Sequence, residues 1–179
     1  MTGIYGGIQK MAWEFDWLYG LQELHGPLLD EIMVCLSALG NAGIFWMILS
    51  LVFLAMKKYR KTGIQMLITI AVAFILANLI IKNLVARDRP CWIDPEVELL
   101  IKNPKDYSFP SGHTVNGFAA AVTLLCNDRM LGIPAVILAS AIAFSRMYLF
   151  VHFPTDVFAG VIVGSVCGML VHYVYSRKA

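Results

Sequence analysis

Residues 145–156 read Ser-Arg-Met-Tyr-Leu-Phe-Val-His-Phe-Pro-Thr-Asp, and they lie where two long apolar runs, 130–150 and 155–175, meet. Each run is long enough to cross a hydrocarbon core of about 30 Å, which takes about 20 helical residues. Charged side chains at a membrane are costly and usually have a paired or functional role. The stretch carries three ionisable residues: Arg146, His152 and Asp156.

A helix boundary is predicted inside this stretch. Pro154 fits the first turn of a helix, where its missing N–H is not needed. His152 is therefore predicted just ahead of the last helix, and Asp156 in its first turn. A carboxylate beside an imidazole is the arrangement that orients a nucleophilic or basic histidine. The alternative is a plain interfacial turn with a few polar anchors.

The composition indicates an integral membrane protein. The chain of 179 residues is 59% hydrophobic and 15% charged, with a mean hydropathy of +0.69, whereas soluble domains carry about 25% charged residues. One domain covering residues 1–179 is the natural expectation at this length. The net charge of +2 is small and no basic run interleaves with aromatics, so no nucleic-acid partner is expected.

The apolar pattern predicts an all-α helical bundle over residues 26–179. About six transmembrane helices are expected, at 27–39, 42–56, 63–81, 112–126, 130–150 and 155–175. The first is short, and a half-inserted segment is its alternative. Residues 1–25 are expected to form an amphipathic helix in the membrane interface, because aromatic and polar residues alternate there; a frayed tail is the alternative.

Six spans would place both termini on one side of the membrane. The basic cluster 57–61 and the Arg177-Lys178 tail share that side, so the positive-inside rule makes it cytoplasmic. The loops 82–111 and 151–154 then face outward. The outer loop carries several basic residues of its own, which opposes the rule and indicates a functional demand for cations.

Three polar stretches converge at the outer ends of the predicted spans: 82–90, 110–113 and 145–156. Fixed cations and oriented N–H groups are what stabilise a phosphoryl group in transfer. Ser111 is a good helix N-cap, and Gly112 lets the backbone approach closely, so this helix start is a predicted anion site. Two histidines would suit attack on phosphorus and protonation of the leaving oxygen. The pattern lacks the spacing of a metal site.

These residues resemble the three signature motifs of the type-2 phosphatidic acid phosphatase superfamily, and they occur in the same order. The motifs are Lys82-x6-Arg89-Pro90, Pro110-Ser111-Gly112-His113 and Ser145-Arg146-x5-His152-x3-Asp156. The third, with five fixed positions, is the most specific. Together with the surrounding helix pattern, the resemblance extends over most of the chain.

The resemblance implies a role for each matching residue. His152 would be the nucleophile and form a phosphohistidine, Asp156 would hold its ring, and His113 would be the general acid. The phosphoryl oxygens would be bound by Lys82, Arg89, Ser111, the Gly112 amide and Arg146. No metal ion or other cofactor would be needed.

Two positions near the motifs stand apart from these roles. Phe150 occupies a position where many relatives have a small residue, often glycine. Arg87 and Asp88 could pair with each other and are left outside the predicted site.

The implied function is that of a bacterial lipid phosphatase, multi-pass in the plasma (inner) membrane, with its active site on the extracytoplasmic face. We expect hydrolysis of undecaprenyl diphosphate to undecaprenyl phosphate, which recycles the carrier for cell-wall synthesis. Phosphatidylglycerophosphate and phosphatidic acid are the alternative substrates.

Two non-catalytic functions are alternatives to the enzyme. A lipid-handling or transport protein would carry charges near the midplane of several helices, whereas the ionisable residues here cluster at one set of ends. A catalytically inactive scaffold would need a broken motif residue, and none is broken.

A stripe of small residues lies on the last predicted helix. Gly160, Gly164 and Gly168 repeat every four residues, and such stripes let helices approach closely. We expect them to serve packing inside the bundle; a dimer interface is the alternative.

Overall fold

The computed structural model describes residues 12–178, and these form helices joined by turns and one long loop. The helices are α1 Ala12–Gln22, α2 Pro27–Leu39, α3 Ile44–Ala55, α4 Arg60–Phe74, α5 Lys82–Val85, α6 Pro90–Ile93, α7 Gly112–Asn127, α8 Arg129–Tyr148 and α9 Pro154–Lys178. A 3-10 turn, Asn41–Gly43, joins α2 to α3, and a π-helical segment, Ile75–Ile81, joins α4 to α5. The described residues contain no β-strand, which confirms the all-α prediction.

Helix α7 lies at the centre of the bundle. It packs against α9, α8 and α4, and its residues 114–121 are all buried. At 16 residues it is only about 24 Å long. Ala119, Ala120 and Ala121 have no exposed surface. These small side chains allow neighbouring helices to contact α7 from several directions, so the helix start at Gly112 is held firmly in place.

The glycine stripe of α9 faces α7. A Cβ atom added to Gly160 would lie 2.8 Å from Thr114 Cβ, one on Gly164 would lie 2.5 Å from the Val115 carbonyl oxygen, and one on Gly168 would lie 3.1 Å from the Ala119 carbonyl oxygen. The first two distances are shorter than real Cβ contacts and the third is unusually tight, so the two backbones are close enough to favour glycine at these positions. The prediction of internal packing is confirmed.

We expect Gly164→Ala to destabilise the bundle. The added methyl group would meet backbone atoms of α7, which cannot rotate away as a side chain can, and overpacking of this kind costs about 1–3 kcal/mol. Thermal unfolding in detergent would measure the change. Gly20→Ala is the matched control, since nothing lies within 4 Å of its added Cβ. Equal melting temperatures for the two variants would show that α9 can shift to accept the methyl group.

Within residues 12–178, three helical stretches are long and apolar enough to cross a membrane: Arg60–Ile93, Arg129–Tyr148 and Pro154–Arg177. A fourth is possible if Pro27–Leu39 and Asn41–Ala55 form one broken span, since the axis bends by 44° between them. The predicted count of six spans is not confirmed. Residues 27–39 and 42–56 were expected to cross separately, but a 44° bend leaves them running in broadly the same direction.

Helix α1 and the last turns of α9 lie at opposite ends of the bundle. Glu14 accepts a hydrogen bond of 2.6 Å from Thr155, in the first turn of α9. The last turns of α9 lie instead beside the start of α4, where Lys61 Nζ is 5.7 Å from the centre of the Tyr175 ring. Because residues 1–11 lie outside the described part, the expectation that both termini share one side stays a prediction.

The predicted interfacial helix is described only from Ala12 onward; residues 1–11 lie outside the described part. In α1, Phe15 and Leu18 are buried against the bundle, whereas the Trp13 and Trp17 side chains are 55% and 54% exposed. Apolar residues thus occur on both faces. Exposed tryptophans favour the boundary between water and lipid, and the interfacial location stays a prediction.

The turn between α8 and α9 explains why a small residue suits position 150. Phe150 has a φ of +57°, in the left-handed region that favours glycine. Its ring is fully buried and packs against α1, with ring centres 5.7 Å from Tyr19 and 6.2 Å from Phe15. The phenyl ring therefore anchors α1 over the turn that carries His152.

Candidate active site

The predicted site residues surround an open cavity of about 790 Å³ at one end of the bundle. Six of the eight line its wall: Lys82, Arg89, Gly112, His113, Arg146 and His152. Ser111 and Asp156 have no exposed surface and lie outside that wall. The structure thus brings the three sequence motifs together, although they are up to 74 residues apart between Lys82 and Asp156.

His152 is held on both ring nitrogens. Its Nε2 lies 3.1 Å from Arg89 Nη1, and its Nδ1 lies 3.3 Å from Ser108 Oγ. Ser108 donates a 2.5 Å hydrogen bond to Asp156 Oδ2. Because Arg89 can only donate, Nε2 accepts, which leaves Nδ1 as the protonated nitrogen of a neutral ring.

The resemblance implies that Asp156 holds the His152 ring. The distance from His152 Nδ1 to Asp156 Oδ2 is 3.6 Å, too long for a hydrogen bond. The geometry instead gives a relay in which Nδ1–H donates to Ser108 and Ser108 donates to Asp156. The carboxylate still lies close enough to stabilise a positive charge on the ring.

The surroundings of His152 favour its neutral form. Burial, followed by the charges of Arg89 and Arg146, holds the pKa of His152 well below its ordinary value. Charged imidazole has no lone pair for attack, so a lowered pKa keeps Nε2 nucleophilic at neutral pH.

Lys82 and Arg89 share one acidic partner that the sequence did not reveal. Asp106 Oδ2 accepts a 2.5 Å hydrogen bond from Lys82 Nζ, and Asp106 Oδ1 accepts one of 2.9 Å from Arg89 Nη2. Burial alone raises the pKa of this carboxyl, but the hydrogen bond from Lys82 and the charge of Arg89 outweigh it and lower the pKa to about 2. Asp106 therefore stays ionised and holds two cations at the cavity wall.

Arg146 lies in the cavity wall with spare hydrogen-bonding capacity. The residue is 4% exposed, and one of its Nη atoms donates to the Ser37 hydroxyl. Its buried Nε has no hydrogen-bond partner among the described residues. A buried donor without a partner costs about 1–3 kcal/mol, so a bound oxyanion would relieve that cost.

We expect Arg146→Gln to lower kcat/KM for a phosphorylated lipid by about 10²-fold or more. Losing one well-aimed donor to a charged transition state has an effect of this size. Initial rates of phosphate release would measure it. Arg129→Gln removes an exposed arginine from the other end of α8 and serves as the control. A loss below about threefold in the Arg146 variant would show that this side chain does not contact the reacting group.

The second motif is placed as predicted only in part. His113 lines the cavity, and its Nε2 lies 3.0 Å from Asn41 Oδ1. Gly112 also lines it, and an added Cβ there would lie 2.9 Å from Asn78 Oδ1. Ser111 occupies the N-cap position but makes no side-chain capping bond. Its hydroxyl instead accepts a hydrogen bond from Thr114, so the structure does not place it against the cavity.

Arg87, for which the sequence predicts no role in the site, contacts it directly. Its Nη1 donates to Asp156 Oδ1 at 2.6 Å, and its Nη2 donates to Glu14 Oε2 at 2.6 Å. No group of three or more His, Cys, Asp or Glu side chains in residues 12–178 is arranged to hold a metal ion.

A neutral histidine whose Nε2 faces the cavity, a relay to a carboxylate, and three cations around that cavity are the groups that phosphoryl transfer requires. A family model described as the PAP2 superfamily matches residues 62–179. The chain belongs to the PAP2 superfamily, and it is a membrane-embedded phosphatase.

Two relatives and one solved structure show how far the similarity extends. An undecaprenyl-diphosphatase of Sulfolobus acidocaldarius is 32% identical over 90% of this chain and 78% of its own length. Phosphatidylglycerophosphatase B of Bacillus subtilis is 31% identical over 81% of this chain and 74% of its own length. The crystal structure of a PAP2-type phosphatidylglycerolphosphate phosphatase from Bacillus subtilis has a TM-score of 0.78 and 24% identity, covering 97% of this chain and 91% of that one.

Proposed function

We propose that this phosphatase hydrolyses a phosphorylated membrane lipid through a phosphohistidine on His152. The observation that carries the proposal is the environment of that ring. Nδ1 is directed to Ser108 and Asp156, and Nε2 faces Arg89 at the wall of the cavity. Once Arg89 turns from Nε2 to the phosphoryl oxygens, this arrangement presents one lone pair to the substrate and stabilises the positive ring that forms.

In the first step, His152 Nε2 attacks phosphorus while the bond from phosphorus to the leaving oxygen breaks. His113, in its imidazolium form, donates a proton to that oxygen and becomes neutral. Lys82, Arg89 and Arg146 bind the phosphoryl oxygens, with the substrate displacing Asp106 from the first two. The imidazolium charge is stabilised by Asp156 through Ser108.

In the second step, water attacks the phosphorus of phosphohistidine and the N–P bond breaks. His113, now neutral, accepts a proton from that water. Inorganic phosphate leaves, and His152 returns to its neutral form. Residues 12–178 supply every group used in both steps, and we propose that they act as one phosphatase domain without a metal ion.

Undecaprenyl diphosphate is the substrate that we propose. The similarity to the undecaprenyl-diphosphatase of Sulfolobus acidocaldarius, over 90% of this chain, supports it. Phosphatidylglycerophosphate is the second candidate, supported by the similarity to phosphatidylglycerophosphatase B. Phosphatidic acid remains the third.

We propose that the protein lies in a plasma membrane with the cavity on the extracytoplasmic side. The basic turn at 57–61 and the end of α9 lie together at the other end of the bundle, as the contact between Lys61 and Tyr175 shows. The positive-inside rule favours the cytoplasm for that end. Helix α1 would then lie at the outer surface, beside the cavity.

Phosphate release by the purified protein in detergent, with EDTA present, tests the proposal. The three lipids would be compared at equal surface concentration, with His152→Ala as the inactive control. Fastest release from undecaprenyl diphosphate is the expected result. Fastest release from another lipid would overturn the substrate, and release that stops with EDTA would overturn metal independence.

A further inference from the structure

Helix α1 carries a buried acid that the proposed chemistry does not use. The Glu14 side chain is 5% exposed, although its neighbours Trp13 and Trp17 are more than half exposed. Burying a carboxylate costs several kcal/mol unless close partners compensate. The partners of Glu14 are therefore informative about its role.

Those partners belong to the active site. Glu14 Oε1 accepts hydrogen bonds from the Thr155 hydroxyl at 2.6 Å and from the Thr155 backbone N–H at 3.2 Å. Glu14 Oε2 accepts one from Arg87 Nη2 at 2.6 Å. The same guanidinium donates through Nη1 to Asp156 at 2.6 Å. One cation thus lies between two buried carboxylates, and the second of them belongs to the His152 relay.

We propose that Glu14 is a positioning residue for Asp156 and acts on it through Arg87. This inference rests on the proposed function, in which Asp156 stabilises the positive His152 ring during attack. By sharing the guanidinium, Glu14 limits how far Arg87 neutralises Asp156. The other oxygen of Asp156 is thereby left to Ser108 and to the Phe153 N–H, which donates to it at 2.9 Å.

The charge balance around His152 explains why this sharing matters. Lys82, Arg89 and Arg146 all act on His152 as positive charges. A ring that becomes positive on attack needs negative charge close by, and Asp156 is the nearest source. If Arg87 paired with Asp156 alone, that negative charge would be offset more completely. The hydrogen bonds to Thr155 also fix the first turn of α9, and with it the Asp156 backbone.

The first test is Glu14→Gln, which keeps the size of the side chain and removes its charge. We expect kcat for phosphorylated lipid to fall roughly 10- to 100-fold, by analogy with the loss of the hydrogen-bond partners that orient metal-ligating histidines. KM should change less than about twofold, because Glu14 does not line the cavity. Asp16→Asn is the matched control, since it removes an exposed carboxylate from the same helix. An unchanged kcat in Glu14→Gln overturns the proposal.

The route through Arg87 is tested by a double-mutant cycle. In an Arg87→Met enzyme, adding Glu14→Gln should lower kcat less than about twofold further. The same large loss in both backgrounds overturns the route. The moles of phosphoenzyme trapped per mole of protein give the fraction of competent enzyme in each sample. A lower kcat caused by misfolding is thereby distinguished from one caused by slower chemistry. If the wild-type enzyme forms no phosphohistidine, the proposed function is overturned together with this inference. If phosphohistidine forms but Glu14→Gln leaves kcat unchanged, this inference alone is overturned.

Discussion

His152→Ala is expected to abolish phosphate release and the covalent intermediate together. No other described group occupies the position of Nε2 beside Arg89, and removal of the nucleophile from a comparable relay costs on the order of 10⁶-fold in kcat. Rapid acid-free quenching with a radiolabelled phosphoryl donor would show an acid-labile phosphoenzyme in wild type and none in the variant. His172→Ala is the control, because that ring lies near the far end of α9 and contacts Gln65. Label retained in His152→Ala would place the nucleophile elsewhere.

The environment of His152 also predicts the acid limb of the pH–rate profile. A lowered pKa means that the ring remains neutral below the ordinary histidine pKa of about 6.5. Activity should therefore persist below that pH and fall only as the ring takes up a proton. The profile of kcat/KM, corrected for substrate ionisation, measures this. An acid limb centred above pH 6.5 would contradict a ring held neutral by burial and by Arg89.

The sequence located the residues that are fixed by local spacing. Arg146, His152 and Asp156 lie at the end of α8, in the following turn and in the first turn of α9. Those positions follow from two apolar runs and Pro154. The glycine stripe of α9 was also predictable, because its period of four matches one face of a helix.

The partners of those residues could not be predicted, because no local pattern encodes them. Ser108 and Asp106 lie in the irregular loop before α7. In such a loop, unlike in a helix, the sequence spacing does not predict the direction of a side chain. Glu14 contacts Thr155 across 141 positions. The excess of cations in the outer loop indicated that acidic partners were needed, but it did not identify Asp106 or Glu14 as those partners. In α1, the sequence shows only that Glu14 lies between two aromatic residues, Trp13 and Phe15.

The predicted count of six spans was not confirmed because local sequence does not encode the angle between two helices either. The sequence Gly-Asn-Ala-Gly at 40–43 predicts a turn, and the structure has one there, with Ala42 and Gly43 both at positive φ. Turn residues announce a break in a helix but not the angle of the break. A hairpin and a 44° bend therefore have the same sequence signature. A hairpin would place α1 at the same end of the bundle as the last turns of α9, whereas the bend places it at the other end.

His113→Ala is expected to slow formation of the phosphoenzyme to an extent that depends on the leaving group. An alkoxide leaving from phosphatidic acid needs a proton as the bond to phosphorus breaks, so its rate should fall about 10²- to 10⁴-fold. A lipid phosphate leaving from a diphosphate is a weaker base and should be affected less. Nitrophenolate leaves without a proton and should be affected least.

Single-turnover measurements of phosphoenzyme formation isolate this step from hydrolysis of phosphohistidine, in which His113 would act again as a base. The position of the side chain supports the assignment, because it lines the cavity and its Nε2 has a hydrogen-bond partner in Asn41 that keeps the ring oriented. A uniform loss over all three leaving groups would give His113 a binding role instead, because electrostatic contact with the phosphoryl oxygens does not depend on the basicity of the departing oxygen. A graded loss would assign the proton to His113, because among the described residues only one other histidine lines the cavity, and that one is the nucleophile.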